Sequence, residues 1–434
     1  MDIPIRALVF LVLVVPSLAP AAGGAAAGND YPIVLLHGWT GWGRDELGGR
    51  VRYWGGFGDL QEALNARGYP THTATVGPVS SNWDRACELY AVIKGGRVDY
   101  GAVHARRHNH ARFGRTFAGL IPDWGDQDSA GHRRRIHLLA HSMGGQTARL
   151  LIELLYEGAP EELNHPQYPS GDGPHALFRG GKRDWVRSLA TLASPHDGTT
   201  LANAADSVAA LRLLQDGIFN LFEEMPMPGQ TVYDLKLDQW ARLTRGAEEP
   251  MLEYVARVLG DDLVRAKDFS LHDLSPEGAR ELNRRTSAKP NIDYFAWSTA
   301  SSILNPVGDG QIGSWQMLPV FFWLSNVLGS CTQQCMWRGE DPVPIDASWF
   351  QNDGVVNTRS MRGPTLGSRD RIVPWSGSSR PGQWNDMGVL RGWDHYDVIG
   401  MNQLWPFPAA TRSAQLVEFY VSIARLLQSL PEKP

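Results

Sequence analysis

Cysteine is scarce in this chain, which has only three among 434 residues. Three cysteines cannot supply the disulfide framework that stabilises small secreted domains, and their scatter does not suggest a zinc site built on thiolates. Cys331 and Cys335 are close enough in sequence to pair if the intervening loop bends suitably, which would leave Cys87 as a buried apolar residue. A hydrophobic core must therefore carry the fold, and 43% hydrophobic residues are ample for one.

The chain also lacks an excess of positive charge. Its 41 Lys and Arg residues are outnumbered by 46 Asp and Glu residues, so the formal net charge is −5. Domains that bind nucleic acid usually present a strongly basic surface. We therefore expect no nucleic-acid partner.

The N-terminal apolar run is too short to span a membrane comfortably. It covers residues 7–15, follows Arg6 and precedes small residues through Gly28. This layout is typical of a cleavable secretory signal. We predict a signal peptide over residues 1–28, a mature chain that starts near Asn29 without a transmembrane segment, and secretion. A retained membrane anchor is the alternative interpretation.

Short apolar runs alternate with helical patterns along the rest of the chain. Residues 31–36, 136–140, 186–193 and 292–297 are predicted to be buried strands, and residues 146–156 a helix. This alternation indicates an α/β fold with a mostly parallel sheet and helices on both faces. The chemistry of such a sheet collects at the carboxyl ends of its strands.

Ser142 is the candidate nucleophile. It lies in the segment Ala-His-Ser-Met-Gly between a predicted strand and a predicted helix. A nucleophile elbow needs small residues beside the serine, and Gly144 and Gly145 supply them on the helix side. His141 is a poor candidate for the base, because adjacent side chains on a sharp turn diverge.

The base and the acid are expected after the serine, in the order acid and then histidine. Five histidines follow Ser142, and His395 alone has every acidic candidate before it in the chain. Asp353 is the preferred acid, because Asn-Asp-Gly forms a turn that leads into an apolar stretch. From turn chemistry alone, three rivals remain open: Asp346, Asp370 and Asp386.

The glycine-rich loop at residues 37–43 is the candidate oxyanion loop. It follows the first predicted strand, and glycines let its backbone approach a substrate closely. Two backbone amides are expected to bind the oxyanion, one from Trp39 in this loop and one from Met143 after the nucleophile.

Several stretches give the chain a resemblance to a known family. They include PIVLLHGWTGWGRDE, VGPVSSNWDRACELYA, IHLLAHSMGGQTARLL, ATLASPHDGTTLAN, VYDLKLDQW, NDGVVNT and GQWNDMG, and they cover nearly the whole mature chain. In these stretches the chain resembles the zinc- and calcium-binding thermoalkalophilic lipases of bacilli and their staphylococcal relatives. The resemblance implies one α/β-hydrolase domain over residues 29–434 with Ser142, Asp353 and His395 as its triad. It also supports Trp39 and Met143, although Phe and Gln are usual there.

The resemblance assigns two metal sites. It implies a structural zinc ion held by Asp84, His104 and His110 from an insertion at about 84–117, and by Asp238 from a distant segment. Without it, this insertion reads as a solvated polar segment. A calcium site is implied at Asp397, Asn402 and Gln403. Asn402 replaces an aspartate and Gln403 a proline of the family, so weaker calcium binding is expected.

Residues 202–227 carry an apolar stripe at helical spacing. The stripe is compatible with an ordinary core helix, whereas the resemblance implies a lid over an acyl groove. The expected function is hydrolysis of acylglycerols at an oil-water interface. An esterase, phospholipase or acyltransferase of the same fold is the alternative, and a binding protein without catalysis is less favoured.

Overall fold

A seven-stranded sheet forms the centre of the molecule. The computed structural model describes residues 28–163, 175–203, 233–246, 248–262, 266–332, 341–401 and 409–432. All six neighbouring pairs of the sheet are parallel. The strands are β1 (Ile33–Leu36), β2 (Thr71–Ala74), β5 (Ile136–His141), β6 (Val186–Leu192), β7 (Asp293–Ala300), β10 (Arg371–Pro374) and β11 (Gln383–Arg391). Their spatial order is β10-β11-β7-β6-β5-β1-β2, which confirms the predicted α/β fold.

Two antiparallel hairpins and ten helices surround this sheet among the described residues. The hairpins pair β3 (Gly96–Asp99) with β4 (Phe113–Phe117), and β8 (Ser302–Leu304) with β9 (Gln311–Gly313). The helices are α1 (Leu60–Asn65), α2 (Asn82–Lys94), α3 (Ala102–His108), α4 (Met143–Glu157), α5 (Pro160–Leu163), α6 (Met251–Gly260), α7 (Ser270–Leu274), α8 (Pro276–Arg285), α9 (Pro319–Leu328) and α10 (Ala409–Gln428).

The sheet is buried on both faces because its central strands are apolar on both. In β1, Ile33 and Leu35 belong to one hydrophobic core, whereas Val34 and Leu36 belong to the other. Successive side chains of a strand point to opposite faces, so a continuous apolar run requires a cover on each side. The four predicted strands and the predicted helix are all present, with ends shifted by three residues at most.

Some sequence-based predictions fall outside the described residues. These are the signal segment through residue 27, the lid except for residues 202 and 203, and the residues Cys335, Asn402 and Gln403. Cys331 is disulfide-bonded, and Cys87 is free and buried. Among the described helices, none has both the length and the hydrophobicity that a membrane span requires.

Candidate active site

Ser142 lies at a strained turn between β5 and α4. Its φ of 55° and ψ of −133° fall outside the ordinary regions for a residue with a Cβ atom. The turn depends on its glycines: a Cβ on Gly144 would lie 2.7 Å from the carbonyl oxygen of Leu36. A Cβ on Gly145 would lie 2.3 Å from Oγ of Ser194. This strand-turn-helix geometry is the one expected of a nucleophile elbow.

Three predicted residues meet at this turn in one hydrogen-bonded row. Oγ of Ser142 lies 2.9 Å from Nε2 of His395, and Nδ1 of His395 lies 2.8 Å from Oδ2 of Asp353. The backbone amide of His395 also donates to the carbonyl oxygen of Asp353, at 3.0 Å. The row therefore has the geometry of a Ser-His-Asp triad, although the three residues come from segments far apart in the chain.

The carboxylate of Asp353 is buried and fully hydrogen-bonded. Besides His395, it accepts hydrogen bonds from the hydroxyl of Thr299 at 2.7 Å and from the amides of Val355 and Val356 at 3.0 and 2.8 Å. These donors fix the orientation of the carboxylate. The rival acids are engaged elsewhere: Asp346 with Ser348, Asp370 with Trp384 and Asp386 with Arg362.

The loop after β1 approaches Ser142 closely at Gly38. A Cβ at this position would lie 2.6 Å from Cβ of Ser142, so a glycine is required here. The amide of Gly38 donates to the hydroxyl of Tyr53, and the amide of Thr40 donates to the carbonyl oxygen of Pro78, both at 2.9 Å. The amides on either side of Trp39 are thus already used within the fold.

A buried hydrogen-bond chain links this loop to the loop of His395. The hydroxyl of Tyr53 lies 2.7 Å from Nδ1 of His141, and Nε2 of His141 lies 3.0 Å from the carbonyl oxygen of His395. A carbonyl oxygen can only accept, so we assign the proton of His141 to Nε2 and make Nδ1 the acceptor for Tyr53. Burial, assisted by nearby His395, holds the pKa of His141 well below its usual value, which keeps the ring neutral.

Arg85 of α2 holds the same loop in place through hydrogen bonds. Its guanidinium donates to the carbonyl oxygens of His37 and Gly77 at 2.7 Å each, and to the hydroxyl of Thr147 at 2.9 Å. Burial lowers the pKa of Arg85 to about 10, so this side chain remains charged at neutral pH. Its rigid fork of donors can hold several carbonyl oxygens at once, which fixes the loop against α4.

A second cluster brings together two histidines and two aspartates. One ligand atom from each of Asp84, His104, His110 and Asp268 lies within 4.8 Å of all the others. Nε2 of His104 lies 3.2 Å from Asp84 and 3.1 Å from Asp268, and Nε2 of His110 lies 3.2 Å from Asp268. The four converging atoms face one another, and within the described part of the chain none of them has a hydrogen-bond partner outside the cluster. Buried polar atoms without partners are rare, and a cation would satisfy all four.

The surroundings of this cluster fit a metal site. Nδ1 of His110 lies 2.8 Å from the carbonyl oxygen of Ala111, which directs the lone pair of Nε2 towards the centre. Gln239 donates to the second carboxylate oxygen of Asp84 at 2.8 Å. Burial opposes protonation of His104, but the carboxylates of Asp268 and Asp84 raise its pKa to about 9. The four residues of the cluster therefore favour a bound positive charge.

The sequence-based ligand set was wrong in one member, because the fourth residue of the cluster is Asp268 and not Asp238. Asp238 is partly exposed, and its carboxylate pairs with Arg115 of β4. An isolated bridge between Ser80 and Phe269 brings Asp268 beside α2. Such a contact between two irregular segments leaves no local pattern in the sequence.

The calcium prediction can be followed only at Asp397. Its carboxylate accepts a hydrogen bond from the amide of Asp394 at 2.8 Å, which closes the turn after His395. The other two residues of that set lie outside the described residues, so the calcium site stays a prediction.

Comparisons with known proteins identify the family of the chain. The profile of a family described as "Lipase-like, C-terminal domain" matches residues 29–431. The chain is 34% identical to a lipase of Staphylococcus epidermidis over 377 residues, which are 86% of this chain and 50% of that protein. It is also 34% identical to lipase 2 of Staphylococcus aureus over 400 residues, 91% of this chain and 53% of that one. The chain thus spans about half the length of these curated relatives.

Solved structures extend the similarity to nearly the whole fold. EstA from Clostridium botulinum is 40% identical with a TM-score of 0.82, covering 95% of this chain and 90% of that one. Lipase 1 from Pelosinus fermentans is 41% identical with a TM-score of 0.80, covering 93% and 99%. The Staphylococcus hyicus lipase is 30% identical with a TM-score of 0.71, covering 93% and 96%. These matches confirm the resemblance that the sequence motifs carry.

Proposed function

Because the chain belongs to the family described as lipase-like, C-terminal domain, we propose that it is a triacylglycerol lipase that uses Ser142 as its nucleophile. The observation that carries this proposal is the strained Ser142, whose hydroxyl lies 2.9 Å from Nε2 of His395. Such a contact lets the histidine take the serine proton as the hydroxyl attacks an ester carbonyl.

The reaction proceeds through an acyl-enzyme. His395 takes the proton of Ser142 as Oγ bonds to the ester carbon, and it then gives that proton to the departing alcohol. In the second half-reaction His395 takes a proton from water as the water attacks the acyl carbon, and it returns that proton to Oγ of Ser142 as the Oγ–acyl bond breaks and the fatty acid leaves. Asp353 holds the Nδ1 proton of His395 and stabilises the imidazolium that forms in each half-reaction.

The amides of Trp39 and Met143 serve as the oxyanion donors in this proposal. The amides that flank Trp39 bond within the fold, and Gly38 touches Ser142, which supports Trp39 as the donor of the loop. Met143 is the first residue of α4, and the initial N–H groups of a helix have no partner inside it. Both donors act through the backbone, so their unusual side chains leave the hole intact.

We assign the second cluster to a structural zinc ion. Two imidazoles and two carboxylates suit the tetrahedral nitrogen and oxygen coordination of zinc. All four side chains would bind the ion. Asp84 lies in α2, His104 in α3, His110 two residues after the end of α3, and Asp268 just before α7. Four protein ligands leave no open position for water, so the ion would fasten these segments together and take no part in hydrolysis.

Export from the cell is part of the proposal. The apolar run at residues 7–15 supports a signal peptide. Asn29 supports a mature chain that starts at this point, because its side-chain amide donates to the carbonyl oxygens of Leu427 and Leu430 at 2.9 Å each. These hydrogen bonds fasten Asn29 to the end of α10. N-terminal sequencing of protein recovered from the culture medium tests this assignment.

An esterase for soluble substrates is the second candidate, because a structural neighbour at 40% identity is named EstA. Hydrolysis of emulsified trioleoylglycerol and of a soluble butyrate ester, by wild type and by Ser142→Ala, separates the two. A lipase hydrolyses the emulsion, and the substitution abolishes this activity. Turnover of the soluble ester alone supports the esterase. Hydrolysis of neither, by folded protein with its metal, contradicts both.

A further inference from the structure

Exposed apolar side chains are concentrated in one short stretch of the described chain. Seven large apolar residues of the described chain are well exposed, and six of these seven lie between residues 302 and 328. The six are Ile303, Leu304, Val307, Trp315, Trp323 and Val327. Isolated exposed apolar residues are ordinary, but a concentration of this kind marks an interaction surface.

These residues belong to one structural unit, the hairpin–helix unit, which consists of β8, β9 and α9 (residues 302–328). The amide of Gly313 in β9 donates to Oδ1 of Asn326 in α9 at 2.9 Å, so the hairpin is bonded directly to the helix. Phe321, Leu324 and Leu328 of α9 are buried in the core, as expected of residues three or four apart on one face. Trp323, which is 70% exposed, and Val327 lie on other faces of this helix.

The hairpin–helix unit is attached to both loops that carry the acid and base of the triad. The hydroxyl of Ser302 accepts from the amide of Asn352 at 2.9 Å, next to Asp353. The amide of Leu318 donates to the carboxylate of Asp394 at 3.0 Å, next to His395. The ring of Phe321 packs on Tyr396 with centroids 4.9 Å apart. The exposed tryptophans therefore stand on a support that is rigidly connected to the catalytic centre.

The composition of the unit indicates the chemistry of its partner. Asp309 is the one charged residue between positions 301 and 337. A surface of this kind offers no attraction to nucleic acid, to charged peptides or to anionic headgroups. Tryptophan is enriched where proteins meet the boundary between lipid and water, because its ring is apolar and its N–H remains hydrated. Trp315 is 84% exposed, which makes it available to such a boundary.

We propose that the hairpin–helix unit is a docking surface for the uncharged surface of an acylglycerol droplet, with Trp315 and Trp323 as its anchors. This inference rests on the proposed function, since docking next to the triad serves an enzyme whose substrate is insoluble. The inference adds a surface for contact with lipid, formed by residues 302–328, that does not include the triad residues.

Binding of a catalytically silent protein tests the docking surface without any turnover. In a Ser142→Ala background, the double variant Trp315→Ser/Trp323→Ser is compared with Phe57→Ser. Phe57, 58% exposed, is the seventh exposed residue and lies outside the hairpin–helix unit. The probe is a trioleoylglycerol emulsion stabilised with phosphatidylcholine, and binding is followed by flotation. The double variant is expected to lose about tenfold or more in partition coefficient, because two large apolar side chains no longer enter the lipid. Phe57→Ser should partition like its parent, as should the parent when anionic lipid or salt is added.

Three results would overturn the docking surface. The first is equal partition of the double variant and its parent, with thermal unfolding showing that both are folded. The second is an equal loss in Phe57→Ser. The third is loss of self-association in sedimentation velocity with unchanged flotation, which would assign the surface to a second copy of the chain. Failure of the lipase proposal looks different: wild type would hydrolyse no trioleoylglycerol, while the tryptophan-dependent partition would persist.

Discussion

The hydroxyl of Tyr53 lies 2.7 Å from Nδ1 of His141, and this contact joins the two sides of the active site. Through it, the amide of Gly38 in the oxyanion loop is connected to the carbonyl oxygen of His395 in the loop of the base. Each donor in this row of hydrogen bonds has one acceptor, and all the bonds run in the same direction. Hydrogen bonds arranged in this way polarise and strengthen one another. This row thereby fixes the distance between the loop of the proposed oxyanion donor Trp39 and the loop of the proposed base His395.

Tyr53→Phe is expected to reduce kcat on a soluble ester by about tenfold or more, with little change in KM. The substitution leaves the Gly38 amide and Nδ1 of His141 without partners, and displacements below 1 Å at catalytic groups are costly. Tyr420→Phe is the matched control, because it also removes a buried hydroxyl. That hydroxyl donates to the carbonyl oxygen of Val398 at 2.7 Å and does not belong to the row of hydrogen bonds through Tyr53 and His141. Steady-state kinetics of the two variants test this role, and their unfolding midpoints show whether both are folded. Equal kinetic losses in both variants would contradict the positioning role of Tyr53.

Asp353→Asn is expected to lower kcat by roughly four orders of magnitude while the protein remains folded. The amide oxygen can still accept from Val355 and Val356, but the amide nitrogen would face Nδ1 of His395 as a donor. That arrangement forces the proton onto Nε2, which then cannot accept from Ser142. Asp346→Asn is the control, since Asp346 lies on the surface. Comparable losses in the two variants would remove Asp353 from the triad.

Asp268→Asn is expected to release the metal, whereas Asp238→Asn is expected to retain it. The reason is that Asp268 points a partnerless oxygen into the cluster, while Asp238 pairs with Arg115. Elemental analysis after dialysis should find about one zinc per chain in wild type and in Asp238→Asn, and much less in Asp268→Asn. A chelator should lower the unfolding temperature of wild type by more than that of Asp268→Asn. Zinc loss in Asp238→Asn alone would restore the original assignment.

Glu88 should make stability fall as pH rises through neutrality. Burial raises its pKa from 4.5 to about 7, although hydrogen bonds from the Gly77 amide and the Tyr100 hydroxyl partly oppose this shift. A carboxyl with a raised pKa in the folded state contributes fully below the unfolded pKa, and this contribution is lost as pH rises through the folded pKa. Glu88→Gln should remove up to about 3 kcal/mol of the decrease in unfolding free energy between pH 5 and 8.

Urea titrations across this pH range measure the effect. Glu62→Gln is the control, because the Glu62 side chain is 61% exposed and pairs with Arg44 at the surface. Identical pH profiles for wild type and Glu88→Gln would show that Glu88 is ionised at neutral pH in the folded state.

Four of the five central strands could be predicted because burial on both faces demands uninterrupted apolar runs. The fifth, β11, is mostly half-buried and carries no such run. The edge strands could not: β2 reads Thr-His-Thr-Ala, and β10 begins with the exposed Arg371. A strand at the edge of a sheet is partly solvated, so its sequence carries no apolar signal.

Ser142 and His395 could be proposed as nucleophile and base from the elbow pattern and chain order, whereas the choice of Asp353 among its rivals also used the family resemblance. The residues that support this row could not be predicted. Tyr53 and His141 are 88 residues apart, and Asp84 and Asp268 are 184 apart, as their numbers show. Contacts between distant loops depend on the packed sheet between them and leave no periodic pattern. From the sequence alone His141 is only a poor candidate for the base, whereas in the fold it connects Tyr53 to the loop of His395.

Covalent trapping tests the central claim most directly. Wild type is incubated with a p-nitrophenyl alkylphosphonate, and the released p-nitrophenolate and the intact mass are measured. The phosphonyl group should bond to Oγ of Ser142 with departure of p-nitrophenol, and this requires the contact with His395. About one equivalent of label on the peptide that contains Ser142, absent in Ser142→Ala and slowed in Asp353→Asn, is the result the account predicts. Labelling of another residue, or equal labelling of Ser142→Ala, would contradict it.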